Sequence, residues 1–317
     1  MLEAPIITSQ HNARVKELRA AFAGNARDGR VAVEGGHLVA EALRSGVRKG
    51  TLFLHEKSTL PKAPPPGITV ARLSKPIFDR AVATEAPQGI ALLFTPNVAP
   101  ARPGAELILI AAGLQDPGNM GTLVRSADAF GATQCITTSD TVSPWNQKAI
   151  RSSAGSIFRM PLVLAQKPAE LADLKSRGVR IFAAVKDGGT PFTAADFTQP
   201  CAVMVGNEGA GLSPAMLALA DELVTIPCPG AVESLNAAIA GSLLLYEASR
   251  QRALLPASPI AKTAETNISS EAAEASSAGA PGLDSETWVQ PTPPTDPLSQ
   301  SEPEPAHEPE FVADHPI

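Results

Sequence analysis

The sequence predicts an α/β protein, a small N-terminal α/β unit followed by a mostly parallel sheet with helices on both faces. Three observations predict it. Beyond residue 105, short apolar runs alternate with helix-period segments, the pattern of successive β-α units. The first of these runs, Glu106 to Ala111, is continuously apolar after its leading glutamate rather than alternating, as a strand buried on both faces should be. Pro96, Pro100 and Pro103 break any regular pattern just before it and so separate it from the mixed segment in front.

Taken in order, the front segment predicts a helix over Asn12 to Phe22, a strand at Val31 to Val33, a helix over Gly36 to Arg44 and a strand at Thr51 to Leu54. It continues with a strand at Ile68 to Arg72, a helix over Lys75 to Ala83 and a strand at Ile90 to Phe94. After the prolines, strands are predicted at Glu106 to Ala111, Gln134 to Thr137, Pro161 to Leu164, Arg180 to Ala184, Ala202 to Val205 and Leu223 to Ile226. Between and after them lie four helical stretches. Asn119 to Phe130 is closed by Gly131 and Pro168 to Arg177 by Gly178; Ser213 to Ala220 and Leu235 to about Arg252 complete the set.

Composition sets the domain plan. From Pro256 the chain turns to Pro, Ser, Glu and Ala with few large aliphatic residues, too little apolar surface to offset chain entropy. The plan is therefore a front domain at 1–95, a linker at 96–104, a second domain at 105–255 and a disordered acidic tail at 256–317. Of 26 Lys and Arg and 32 Asp and Glu, the tail takes one base, Lys262, and 11 acids, leaving residues 1–255 mildly basic. Arg14, Lys16, Arg19, Arg27 and Arg30 cluster near the front. They suit a polyanion, although charge alone fits a solvated helix face equally well.

Cys135, Cys201 and Cys228 are widely spaced without a C-x-x-C pair, so neither a disulfide framework nor a metal site is expected, and each is read as a small packed apolar residue. The segment MLEAPIITSQ lacks a basic region followed by an apolar run, and no stretch is long enough to cross a membrane. A cytoplasmic protein is expected.

Three loops lie just beyond predicted strands, where open parallel sheets bind ligands: residues 114–132, 205–214 and 226–241. Taken singly, each has a structural explanation. Asn119 reads as a helix cap and Arg125 as a surface cation; Ser213 and Pro214 read as cap and first residue of a helix, and Ser234 as the cap of the long final one. The glycines of 206–211 match neither G-x-G-x-x-G nor a P-loop, and Glu208 among them would repel a phosphate. All five histidines lie outside these loops, which disfavours Ser-His-Asp or Cys-His catalysis.

Taken together, the loops resemble the three signature motifs of the SpoU family of ribose methyltransferases, the TrmH-type enzymes of the SPOUT class. The matching residues are N-x-G-x-x-x-R at Asn119 to Arg125, G-N-E-G-x-G-L-S at Gly206 to Ser213, and I-P followed by S-L-N at Ile226 and at Ser234 to Asn236. RSSAGSIFRMP at 151–161 is similar to the family's R-x-S-x-G segment, and residues 27–43, containing VEGGHLVAEAL, resemble the RNA-binding domain that many members carry in front.

The resemblance implies a C-terminal trefoil knot, a rare exception to unknotted chains, and S-adenosylmethionine held by main-chain groups of Gly206, Ile226 and Leu235. It implies catalytic roles for Asn119, Arg125, Glu208, Ser234 and Asn236, RNA contacts from the front cations, a homodimer and no metal. Arg125 would activate the ribose 2′-hydroxyl, as an electrostatic stabiliser or as a base; the first is favoured because arginine stays protonated. The expected substrate is 23S ribosomal RNA, with transfer RNA next and a non-catalytic RNA-binding protein as the opposing reading.

Overall fold

The computed structural model describes residues 5–255 except 61–62, 83 and 97–99, and leaves out the Arg27 side chain. The acidic tail, the end of the helix predicted to reach Ala83 and the middle of the linker lie outside the described residues. The front part runs β1 (Ile6–Ile7), α1 (Ala13–Phe22), β2 (Val31–Glu34), α2 (Gly36–Arg44), β3 (Gly50–His55), β4 (Ile68–Leu73), α3 (Lys75–Val82) and β5 (Ile90–Phe94). Its sheet has the order β1-β4-β3-β5-β2. Alternate strand residues face two cores: Ala32, Phe53, Ala71 and Leu93 pack against Val15 and Leu18 of α1 and Phe78 of α3, while Val33, Leu52, Leu54 and Leu92 pack against Val39 and Ala42 of α2.

The second part runs β6 (Leu107–Ala111), α4 (Pro117–Ala129), β7 (Gln134–Thr138), α5 (Gln147–Ser152), β8 (Leu162–Gln166), α6 (Pro168–Leu171) and α7 (Asp173–Ser176). It ends with β9 (Arg180–Ala184), β10 (Thr190–Pro191), β11 (Cys201–Val205), α8 (Pro214–Leu217), β12 (Glu222–Thr225) and α9 (Ala237–Ala253). Seven strands pair in the order β10-β12-β9-β11-β6-β7-β8, every pairing parallel. Leu107, Leu109 and Ala111 of β6 face α4 and α9, and Ile108 and Ile110 face α6, α7 and α8, which is why that strand is apolar throughout. Among the described residues no helix is long and apolar enough to cross a membrane.

The helix starts differ from expectation in an instructive way. α4 is capped by Asp116, whose side chain accepts from the Asn119 amide at 2.8 Å, so Asn119 is not the cap. α9 is capped by Asn236, not Ser234; its side chain accepts from the Ala238 and Ile239 amides. The helix predicted over 168–177 is two single turns, each sending one leucine, Leu171 or Leu174, into the core. That at 213–220 is one turn, with Ser213 and Pro214 in the expected roles. Short β1, α5 and β10 carry too few residues to show a period.

The two parts meet along α5 and the segment that follows it. Ile150, Trp145 and Phe158 join the α2-side core of the front sheet, and Gln147 donates to the edge-strand carbonyl of Ala32 at 2.9 Å. Glu41 of α2, only 8% exposed, bonds Arg159, which also reaches Asp128 of α4 at 2.8 Å; Arg102 of the linker holds the other Asp128 oxygen at 2.5 Å. Burial pushes the Asp128 carboxyl up, but hydrogen bonds from Arg102, Ser156 and Arg159 outweigh it and hold the group below its ordinary value. α5 lies so near α4 that a Cβ on Gly121 would stand 2.2 Å from the Ala149 carbonyl oxygen. Gly121→Ala should therefore force the helices apart and cost about 1–3 kcal/mol as overpacking does, a loss that thermal denaturation followed by circular dichroism would register.

Candidate active site

Four neighbouring strands, β12, β9, β11 and β6, deliver their C-terminal loops to one edge of the parallel sheet, the edge where such sheets bind ligands. Beyond β9, β11 and β12 the loops enclose a cavity of about 520 Å³, within the usual size for a small-molecule site. Its walls include Val205, Val224, Ile226, Leu235 and Leu244, with Gly206 on one side and Glu208 and Ser234 at the rim. A Cβ on Gly206 would lie 2.6–2.7 Å from main-chain atoms of Gly211 and Leu212, so only glycine lets this loop fold back on itself. Asn207 fixes the turn, accepting from the Gly209 and Ala210 amides at 2.9 Å and donating to the Gly113 carbonyl at 2.9 Å. Cys228 lines this cavity instead of packing inside as Cys135 and Cys201 do. A proline-flanked loop leaves it no element to pack beneath.

Beside the cavity, one chain of hydrogen bonds ties three loops together. The Asn236 amide donates to the Asn119 side-chain oxygen at 3.0 Å, and the Asn119 amide donates to Glu208 at 2.9 Å. Glu208 also accepts from the main-chain amides of Gln115 and Asp116, each at 3.2 Å. Burial alone would raise the Glu208 carboxyl; the bonds from Asn119 and from main-chain amides outweigh it and hold the group below its ordinary range. Asp116 is itself held low, first by Lys148 at 2.6 Å and then by the Asn119 amide.

Arg125 lies on the exposed side of α4, about two turns beyond Asn119, and among the described residues no hydrogen bond or ion pair holds it. Ser234 is exposed at the cavity rim and makes no cap. Gly206, Ile226 and Leu235 all line the cavity, whereas Asn119, Arg125 and Asn236 stand outside its lining.

The front cations sit elsewhere. Arg14, Lys16 and Arg19 are exposed on α1, the helix on the face of the front sheet opposite to the one that docks on α5. Arg30 is paired with Glu17 at 3.1 Å, and the Arg27 side chain lies outside the described residues. Sequence reasoning missed Asp116, although Asp before Pro is a recognisable helix start. It also missed Lys148 and Lys186, the latter a cavity-lining residue beyond β9, for which no local signal exists.

A parallel sheet with a folded-back glycine loop, a cavity of mixed polar and apolar lining at its C-terminal edge and an adjoining chain of hydrogen-bonded side chains is the arrangement of an α/β protein that binds a small molecule. Comparison with known proteins narrows the class. Residues 106–246 match the model of the SpoU rRNA methylase family, and residues 32–98 match that of the RNA 2′-O ribose methyltransferase substrate-binding domain. The 23S rRNA (guanosine(2553)-2′-O)-methyltransferase RlmP of Bacillus subtilis is 35% identical over 214 residues, 68% of this chain and 86% of that one. The 23S rRNA (uridine(2479)-2′-O)-methyltransferase of Streptomyces viridochromogenes is 42% identical over 142 residues, 43% of this chain and 50% of that one. The crystal structure of the SpoU methyltransferase AviRb from Streptomyces viridochromogenes, in complex with AdoMet, superposes with a TM-score of 0.69 at 29% identity, covering 78% of this chain and all of that one. The chain belongs to the SpoU family of RNA 2′-O-ribose methyltransferases.

Because the Glu208 carboxyl is held low, its contribution to stability is present above ~pH 4 and disappears as the pH falls through its depressed value. The difference in thermal stability between wild type and Glu208→Gln should thus be constant from about pH 6 to 8 and shrink below ~pH 4. A difference independent of pH would contradict the hydrogen-bonded carboxylate.

Proposed function

We propose that this chain transfers a methyl group from S-adenosylmethionine to a ribose 2′-hydroxyl of 23S ribosomal RNA. The observation that carries the reading is the Asn236–Asn119–Glu208 chain, which fixes the start of α4 beside the cavity while leaving Arg125 free. The 23S assignment is supported by the two relatives described above, each a 23S rRNA 2′-O-methyltransferase. The cavity fits the cofactor in size and in its mix of apolar wall and main-chain groups, with Gly206, Ile226 and Leu235 holding it. S-adenosylmethionine supplies an electrophilic methyl group on a sulfonium.

The protein's own task is to orient the ribose and stabilise negative charge growing on its 2′-oxygen. Arg125 is assigned the charge. Asn119, Glu208 and Asn236 keep the arginine-bearing helix in register with the cavity, and Ser234 at the rim orients the ribose. Residues 1–95 serve as the RNA-binding domain, 96–104 as linker and 105–255 as the methyltransferase domain. Since Arg14, Lys16 and Arg19 face away from the joint, an RNA that touches them and Arg125 must pass around the edge of the front sheet. Arg27 and Arg30 extend this basic set. The reading includes a cytoplasmic location and a trefoil knot, supported by β12 inserting beside β9 before α9 returns over β11 and α4. It also includes a homodimer, supported by the half-exposed Ile239 and Tyr246 on α9 next to α4.

Incubation of the chain with tritiated S-adenosylmethionine and separated RNA fractions tests the reading. Alkali-stable label in 23S RNA supports it; label confined to transfer RNA moves the substrate, and cofactor binding with no label in any RNA or ribosomal precursor contradicts it. Arg125→Ala should lower turnover about 100-fold or more while calorimetry finds cofactor binding unchanged. In Tyr246→Arg, sedimentation should detect a monomer.

A further inference from the structure

Four charged side chains line the cavity: Lys186, Asp187, Glu208 and Glu233. Glu208 is committed to Asn119 and two main-chain amides, which leaves Asp187 and Glu233 as acids and Lys186 as the single cation among the described lining residues. S-adenosylmethionine carries the inverse set, a sulfonium, an ammonium and one carboxylate. A carboxylate brought beside three acids in a partly apolar cavity is repelled unless a cation meets it.

We infer that Lys186 binds the carboxylate of the cofactor's methionine moiety and that Glu233 holds the lysine over the cavity until the cofactor enters. The inference rests on assigning the cavity to S-adenosylmethionine. The lysine's main chain is fixed: its carbonyl accepts from the Thr225 hydroxyl at 2.7 Å, the preceding Val185 amide donates to Val224 at 2.9 Å, and a Cβ on nearby Gly189 would stand 2.8 Å from Val224. Its ammonium is not so fixed. It meets Glu233 at 3.3 Å, the longest ion pair among the described residues, and both side chains are at least half exposed. Such a pair is weak and easily exchanged, so a ligand carboxylate can replace Glu233 at little cost.

Calorimetric titration of the full chain with S-adenosylmethionine and with its decarboxylated form separates this contact from every other cofactor contact. Lys186→Met should weaken S-adenosylmethionine about tenfold and leave the decarboxylated form within about twofold, with Lys186→Arg restoring most of the loss. Glu233→Gln, which releases the lysine, should tighten S-adenosylmethionine and leave the decarboxylated form unchanged. Equal weakening of both ligands by Lys186→Met, or of neither, overturns the inference while the cavity assignment stands. Wild-type protein that binds neither ligand overturns the cavity assignment and the inference with it.

Discussion

The site depends on one short line of hydrogen bonds running from Asn236 through Asn119 to Glu208. It joins the start of α9, the first turn of α4 and the loop after β11, segments 117 and 89 residues apart in the chain. Each member has a second duty. Asn236 caps α9, Asn119 offers its main-chain amide to the cap of α4, and Glu208 takes the two amides that precede that helix. Two helix starts and a glycine loop are therefore satisfied by the same polar groups that stand beside the cavity, and a change in any of them disturbs both. The hydrogen-bond demand of helix ends and the geometry of the site are one constraint here.

The docking of the front part obeys a similar economy. Glu41 is buried against Arg159, and Arg159 shares Asp128 with Arg102. Removing one member would strand a charge, so the network selects one docking geometry more than it adds net stability. Asp128 is three residues beyond Arg125 on α4, so the helix that carries the free arginine is also the one to which the front part is fastened. The unpaired state of Arg125 contrasts with the paired state of Arg102, Arg159, Arg177, Arg180 and Arg250 in the same part of the chain.

Most strands were legible because burial on both faces writes itself as an unbroken apolar run, as in β6, β9 and β11. The glycines were legible too: Gly206 has main-chain atoms where a side chain would begin. Helix starts were read one turn or less from their true places. At α4 the cap was placed on Asn119, whose side chain is drawn into contacts between distant loops while Asp116 caps the helix; at α9 it was placed on Ser234, two residues before the true cap, Asn236. Arg14, Lys16 and Arg19 are exposed on α1, but nothing in their spacing told which face of the front sheet they would occupy.

By itself the sequence determined the alternation of strands and helices, the three loops and the residue types within them, because hydrophobic period and turn chemistry are local properties. Only the tertiary structure decided that those loops share one sheet edge, that Asn119 bonds Glu208 and Asn236, that Lys186 stands in the same cavity and that α1 turns its cations away from the joint. These follow from strand order, and strand order is set by which faces pack against which helices across the whole chain, a global minimum that no window of neighbouring residues encodes.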